Sequence, residues 1–258
     1  MLKITFDCAT WRLAAVPDHC TVQADIQSFR RINAAIGTRT LAATLPETVF
    51  TVEALAKSLK QRFERNHLKA HSNVTARPDG TVGMSQTTKS EPSAQPGREP
   101  YVVTDWDAAQ RLGFKILHCS RLAMTSNPAL RREWFAGATY NIAKRFGACS
   151  REIAAMDRGV GSWEALEAEY SGIGQPWDGI AGSIAAAEAN AIAKAAVEWS
   201  DADTVAAHYA YGNDYICVRD VAAGDGVDAL FSTACRASLA SKYDAVFVTA
   251  RQLAGIID

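Results

Sequence analysis

At 258 residues the chain has room for one large domain, or for a domain with sizeable insertions. Its 48% hydrophobic and 21% charged content is that of a soluble globular protein, and its net charge of −1 leaves nucleic-acid recognition to a local basic face. The six cysteines (Cys8, Cys20, Cys119, Cys149, Cys217 and Cys235) form no CxxC pair, which argues against a structural zinc site or disulfide framework and for reduced thiols in a cytoplasm. No apolar run reaches the ~18 residues a spanning helix needs, so no membrane association is expected. Asp7 interrupts what would be the apolar core of a signal peptide, so secretion is not expected either.

In chain order, KITF (3–6) reads as a short buried strand that stops at Asp7. Val22, Ile26, Phe29, Ile32 and Ile36 recur at helical spacing, and Gly37 closes that helix. TLAATL (40–45) predicts a second strand. In PETVFTVEALAKSLKQRF (46–63) the stripe Val52, Leu55, Leu59 and Phe63 predicts a helix, and Lys57, Lys60, Arg62, Arg65 and Lys69 make its exposed side basic. Residues 71–100, rich in Ser, Thr, Pro and Gly, read as a mobile loop or insertion. YVVT (101–104) reads as a strand leaving it, and from Asp105 to about Trp199 the pattern is mainly helical. SDADTVAAHYAYG then reads as a helix with Ser200 at its N-cap and Gly212 at its end. YICV, TACRASLASKY, AVFV and ARQLAGII follow as strand, helix, strand and helix. No internal repeat is found. Strands alternating with helices predict an α/β fold, a parallel sheet flanked by helices, as one domain over 1–258 with a mobile segment at 71–100 and a helical insertion at about 105–199.

Such sheets collect ligands and reactive groups at the carboxyl ends of their strands. Asp7 and Asp220 lie just past two strands, while Asp201 and Glu53 lie at the starts of two helices. Each has a plain structural explanation when taken alone: Asp201, Asp203 and Glu53 offset a helix dipole, Asp7 and Asp220 sit in turns. Their joint placement carries the functional expectation. Converging carboxylates raise one another's pKa unless a cation neutralises them, and acids without histidines or thiolates suit Mg²⁺ or Mn²⁺. Metal-assisted attack of water on a phosphodiester is the matching chemistry.

The segment from Asp201 through Gly212 and Asp214 to Asp220 resembles the C-terminal signature of PIN-domain nucleases, in which an acid opens a helix, Gly-x-Asp follows, and a strand ends on another acid. ITFDCATW is similar to that family's first strand with its leading metal-binding acid, here Asp7, and Glu53 in FTVEAL resembles its second acid. AVFVTARQLAGII fits the end of the domain. The likeness covers roughly 1–65 and 200–258. It implies a PIN-like fold and a metal-dependent endoribonuclease that uses Asp7, Glu53, Asp201 and Asp220 to bind Mg²⁺ or Mn²⁺ and forms no covalent intermediate, as a toxin or defence effector acting on RNA. Val218 replaces a polar residue common in the family, Cys8 and Ala9 follow the first acid, and the middle is long. These departures define the alternative: a catalytically weak PIN-fold module that binds RNA or a protein partner, such as an inhibitor, a regulator or a second copy.

Asp203 competes with Asp201, but the two point roughly 200° apart on a helix, and the spacing to Gly212 and Asp220 favours Asp201. Glu47 is the weaker alternative to Glu53. His208 reads as a satisfied core histidine, and Asp105 and Asp107 as helix caps. Lys57, Lys60 and Arg62 form a solvated face that substrate phosphates could use. A nucleotide-binding α/β protein is disfavoured because no Gly-rich loop follows the first strand.

Overall fold

The structure is a computed structural model that describes residues 1–49, 68–76, 82–90, 100–119, 132–156, 186–219 and 230–257. Its centre is a five-stranded, all-parallel sheet. The strands are β1 (Leu2–Phe6), β2 (Leu41–Pro46), β5 (Lys115–Leu117), β6 (Tyr215–Cys217) and β7 (Phe247–Val248), in spatial order β5-β2-β1-β6-β7. From the central β1 the chain builds outward through β2 and β5, then returns to add β6 and β7 on the other side. The order therefore reverses between β1 and β6, and the crevice of such a sheet opens at the carboxyl ends there.

Helices cover both faces, because alternate strand residues point to opposite sides and both sides are apolar. Ile4, Phe6, Leu41, Leu45, Ile116 and Cys217 face one layer. That layer holds α1 (Trp11–Ala15), α2 (Gln23–Gly37), α3 (Pro100–Leu112) and α7 (Ala250–Ile256). Leu117, Ile216 and Val218 face the other, made by α4 (Tyr140–Ala154), α5 (Ala186–Tyr211) and α6 (Thr233–Tyr243). In α2 the buried Phe29, Ile32 and Ile36 recur at helical spacing, as the sequence predicts. At α7 the Thr249 hydroxyl accepts from the Gln252 N–H at 3.3 Å while the Gln252 side chain accepts from the Thr249 N–H at 2.8 Å, a reciprocal cap.

Four expectations are corrected. Part of the stretch expected as a loop over 71–100 belongs to an antiparallel pair, β3 (Leu68–Ala76) and β4 (Val82–Ser90), which forms a separate two-stranded sheet. YVVT lies inside α3 rather than in a strand, since Trp106 and Ala109 continue the turn at buried helical positions. The region expected to be mainly helical contains β5, which completes one edge of the sheet. The helix expected to begin at Ser200 is the last part of the 26-residue α5. Among the described residues, no helix is long and apolar enough to cross a membrane.

Candidate functional site at the carboxyl edge of the sheet

Asp7 leaves β1 at the point of reversal. Its N–H donates to the Cys217 carbonyl at 3.2 Å, which ties it to the end of β6. The carboxylate turns back over the start of α1. There Oδ1 accepts from the Ala9 N–H at 3.0 Å, the Thr10 N–H at 2.8 Å and the Thr10 hydroxyl at 2.6 Å. The Arg219 N–H supplies a further bond. Asp7 is nonetheless only 8% exposed. Burial disfavours its charge more than these donors favour it, and the pKa is raised to about 6. Burial, followed by the charge of Asp7, also pushes the Cys217 thiol well up, so this cysteine is kept from acting as a nucleophile.

One strand away, Pro46 of β2 pairs with Leu117 of β5, and this register brings Glu47 beside His118 and Cys119. Glu47 Oε2 lies 2.9 Å from His118 Nδ1 and accepts from the Cys119 N–H at 3.3 Å. The carboxylate is 4% exposed, whereas the imidazole is 39% exposed. The hydrogen bond to Glu47 raises the His118 pKa, against the opposing effect of partial burial. The His118 N–H donates to the Tyr211 hydroxyl at 3.1 Å, and its ring meets Phe135 edge-on with centroids 5.8 Å apart. The next residue, Thr48, donates its hydroxyl to Asp203 Oδ2 at 2.6 Å. Burial first, and then the nearby charge of Asp203, raises the pKa of Cys119 so far that its thiol stays protonated.

The two α5 acids weighed in the sequence differ in burial. Asp203 is fully buried, while Asp201 is half-buried on another side of the helix. The acid that α5 turns toward the sheet edge is Asp203. Glu47, weighed in the sequence as the alternative to Glu53, directly follows β2. Glu53, Asp220, Lys57, Lys60 and Arg62 lie outside the described residues.

The remaining motif residues hold the frame. His208 is buried, with Nδ1 3.4 Å from the Thr5 hydroxyl. Burial lowers its pKa to about 4, against a bond to the Asp244 backbone. It is a neutral core histidine, as the sequence suggested. Asn213 Nδ2 donates to the Thr5 and Thr44 hydroxyls at 2.7 and 2.9 Å, and Asp214 Oδ2 accepts from the Lys3 N–H at 2.7 Å. The Gly-x-Asp turn thus pins the end of α5 to β1 and β2. Asp105 is corrected from helix cap to buried anchor. It sits inside α3, with Arg12 Nε 2.6 Å and His19 Nδ1 3.4 Å from its oxygens, and so fixes the α1 segment that follows Asp7. Asp107 is exposed in the same helix, beyond the first turn and so not a cap.

The sequence reading missed Thr10, Thr48, His118 and Tyr211. Only Thr48 carried a signal, as the neighbour of a strand-exit acid. Among the described residues, no three His, Cys, Asp or Glu side chains are grouped to hold a metal ion. A comparison with protein-family models, curated proteins and solved structures finds no match to this chain.

Proposed function

We propose that the chain is a PIN-type, metal-dependent endoribonuclease. The observation that supports this best is the placement of buried Asp7, Glu47 and Asp203, from three distant segments, along the carboxyl edge of a parallel sheet whose order reverses at Asp7. The donor chemistry fits a hard cation, since all three are carboxyl groups and burial keeps the neighbouring Cys119 and Cys217 thiols protonated. The three described acids do not by themselves form a metal-holding group, so the reading requires Asp220, three residues past β6, to complete with them a set that would hold Mg²⁺ or Mn²⁺. Such a cation supplies Lewis-acid polarisation of a phosphoryl oxygen and a more acidic bound water.

The chain's own residues do the positioning. Thr10 and two backbone N–H groups fix one oxygen of Asp7, and Thr48 fixes one oxygen of Asp203. Lys57, Lys60 and Arg62 would meet substrate phosphates. In a Mn²⁺-dependent assay on single-stranded RNA, Asp7→Asn, Asp203→Asn and Asp220→Asn are each expected to lose at least about a hundredfold in rate. Asp201→Asn should stay within about twofold of wild type. An equal loss in Asp201→Asn would move the site to the other side of α5. No cleavage by the wild type, with several RNAs and both metals, would remove the enzyme reading.

The second reading is a catalytically weak PIN-fold module that binds RNA or a protein. It draws on the missing three-residue metal group among the described residues and on Val218, which is core filler at the end of β6. RNA binding with no cleavage would favour it.

A further inference from the structure

Helix α4 buries Phe146, Cys149, Ser150 and Ile153 on one side and leaves the opposite side open. At 100° per residue, Tyr140, Lys144, Gly147 and Arg151 fall within about 60° of one another on that open side. Lys144 and Arg151 are exposed, and neither has an acid partner among the described residues. The one acid of the helix, Glu152, is already engaged by Lys242 Nζ at 2.7 Å and by the Tyr243 hydroxyl at 2.6 Å. Arg145 lies over the Tyr209 ring at 4.5 Å from its centroid and donates to the Tyr209 carbonyl, so no acid offsets its charge either. The face therefore carries charge of a single sign. Tyr140 stands at its head, 82% exposed, more than any other large apolar side chain among the described residues.

Gly147 lies between the two cations, at a helix-interior position where glycine is less favourable than alanine. A Cβ there would stand 3.6 Å from Arg151 Nη1, so the guanidinium lies back along the helix over Gly147, toward Lys144. With no side chain at Gly147, a flat group can approach the strip closely. We propose that this face of α4 docks single-stranded RNA, with Lys144 and Arg151 on backbone phosphates and Tyr140 stacked on a base. Charge and shape choose the ligand together. A polyanion answers the unbalanced positive charge, and an unpaired base offers the exposed ring a free face that a duplex withholds. The choice of RNA over DNA rests on the nuclease reading. The surface itself does not, since α4 supplies none of the acids of the sheet edge.

The test measures fluorescence anisotropy of a labelled oligouridylate with the full chain in EDTA, which keeps metal chemistry out of the result. The variants are Lys144→Gln with Arg151→Gln, Tyr140→Ala, Tyr140→Trp, and Arg111→Gln, which removes an exposed charge from α3 in the other layer. The double variant is expected to bind about 10- to 30-fold more weakly at about 0.1 M salt, and its slope of log affinity against log salt should be shallower by about 1.4. Tyr140→Ala should lose about 5- to 150-fold with the slope unchanged, and Tyr140→Trp should bind at least as well as wild type. Arg111→Gln should stay within about twofold, and all variants should melt with wild type because each replaced side chain is exposed. Equal losses in Arg111→Gln and the double variant would mean diffuse attraction and overturn the surface. Tighter binding of duplex RNA overturns the stacking role, and tighter binding of oligothymidylate overturns the choice of RNA. Wild type that does not bind oligouridylate in EDTA overturns the inference, whereas cleavage with Mn²⁺ would still uphold the nuclease reading. Binding that depends on these residues, with no cleavage in either metal, supports the docking surface and removes the enzyme reading.

Discussion

Thr48 donates to a carboxyl group that has no access to water, and its hydroxyl hydrogen serves Asp203 at 2.6 Å. Thr48→Val keeps the shape and removes the donor, so the buried oxygen loses a partner it cannot replace from solvent. The variant should be less stable by about 1.5–3 kcal/mol in urea denaturation, the range for hydrogen bonds to charged groups. A loss under about 0.5 kcal/mol would show that other groups satisfy Asp203. At this scale Asp7 was legible because a lone acid directly follows an apolar strand. The choice between Asp201 and Asp203 was not. Their stretch of α5 is buried almost all round, with Ala202, Val205, Ala206, Ala207 and Ala210 all at 1% exposure or less. A helix without a polar face offers no phase from which to tell which of two acids looks inward.

The turn from α5 into β6 depends on Gly212, whose φ of 63° lies in the left-handed region. An added Cβ there would meet nothing within 4 Å, so any penalty for Gly212→Ala comes from the backbone alone. Thermal or urea unfolding should show a loss of about 1–2 kcal/mol, with the fold otherwise retained. Elements of this kind were readable from sequence, since a glycine ends the helix and an apolar strand follows. The failures have separate physical causes. β5 is three residues long, too short for any periodicity to stand out. Two adjacent valines made YVVT look like a strand, yet tertiary packing of α3 through Trp106 and Ala109 overrides that local preference. In β3 and β4 the sequence has little apolar alternation, so only the backbone pairing from Leu68↔Ser90 to Ala76↔Val82 reveals them.

Across the whole molecule, two buried groups oppose one another as pH changes. Asp7 has a folded pKa of about 6 against an ordinary 3.8. Its contribution to stability is fully present below the ordinary value and is lost as pH rises through 6. His208 has a folded pKa of about 4 against an ordinary 6.5, so its contribution is present above 6.5 and is lost as pH falls through 4. Each is worth on the order of 3 kcal/mol, and between about pH 4 and 6 the two slopes largely cancel. Asp7→Asn should therefore gain stability over wild type at pH 8, lose that gain by pH 4, and become acid-labile. His208→Gln should do the reverse, growing more stable relative to wild type as pH drops. Urea midpoints at several pH values would measure this, and three parallel curves would contradict it.

The central strand is made of the first residues of the chain, and its neighbour β6 is made of residues near the end. The Thr10 hydroxyl reaches the Cys217 carbonyl at 2.9 Å across a sequence separation of 207 residues. At typical synthesis rates that gap corresponds to about 10 to 40 s on the ribosome. Throughout that interval Asp7 has no β6 to close over it, and its carboxylate stays in water at an ordinary pKa. Loop closure over such a span makes the β1–β6 pairing late relative to local contacts, and the edge that holds the acids is finished only once β6 has emerged. Under the nuclease reading proposed above, the edge that would carry the chemistry does not exist before β6 has been made.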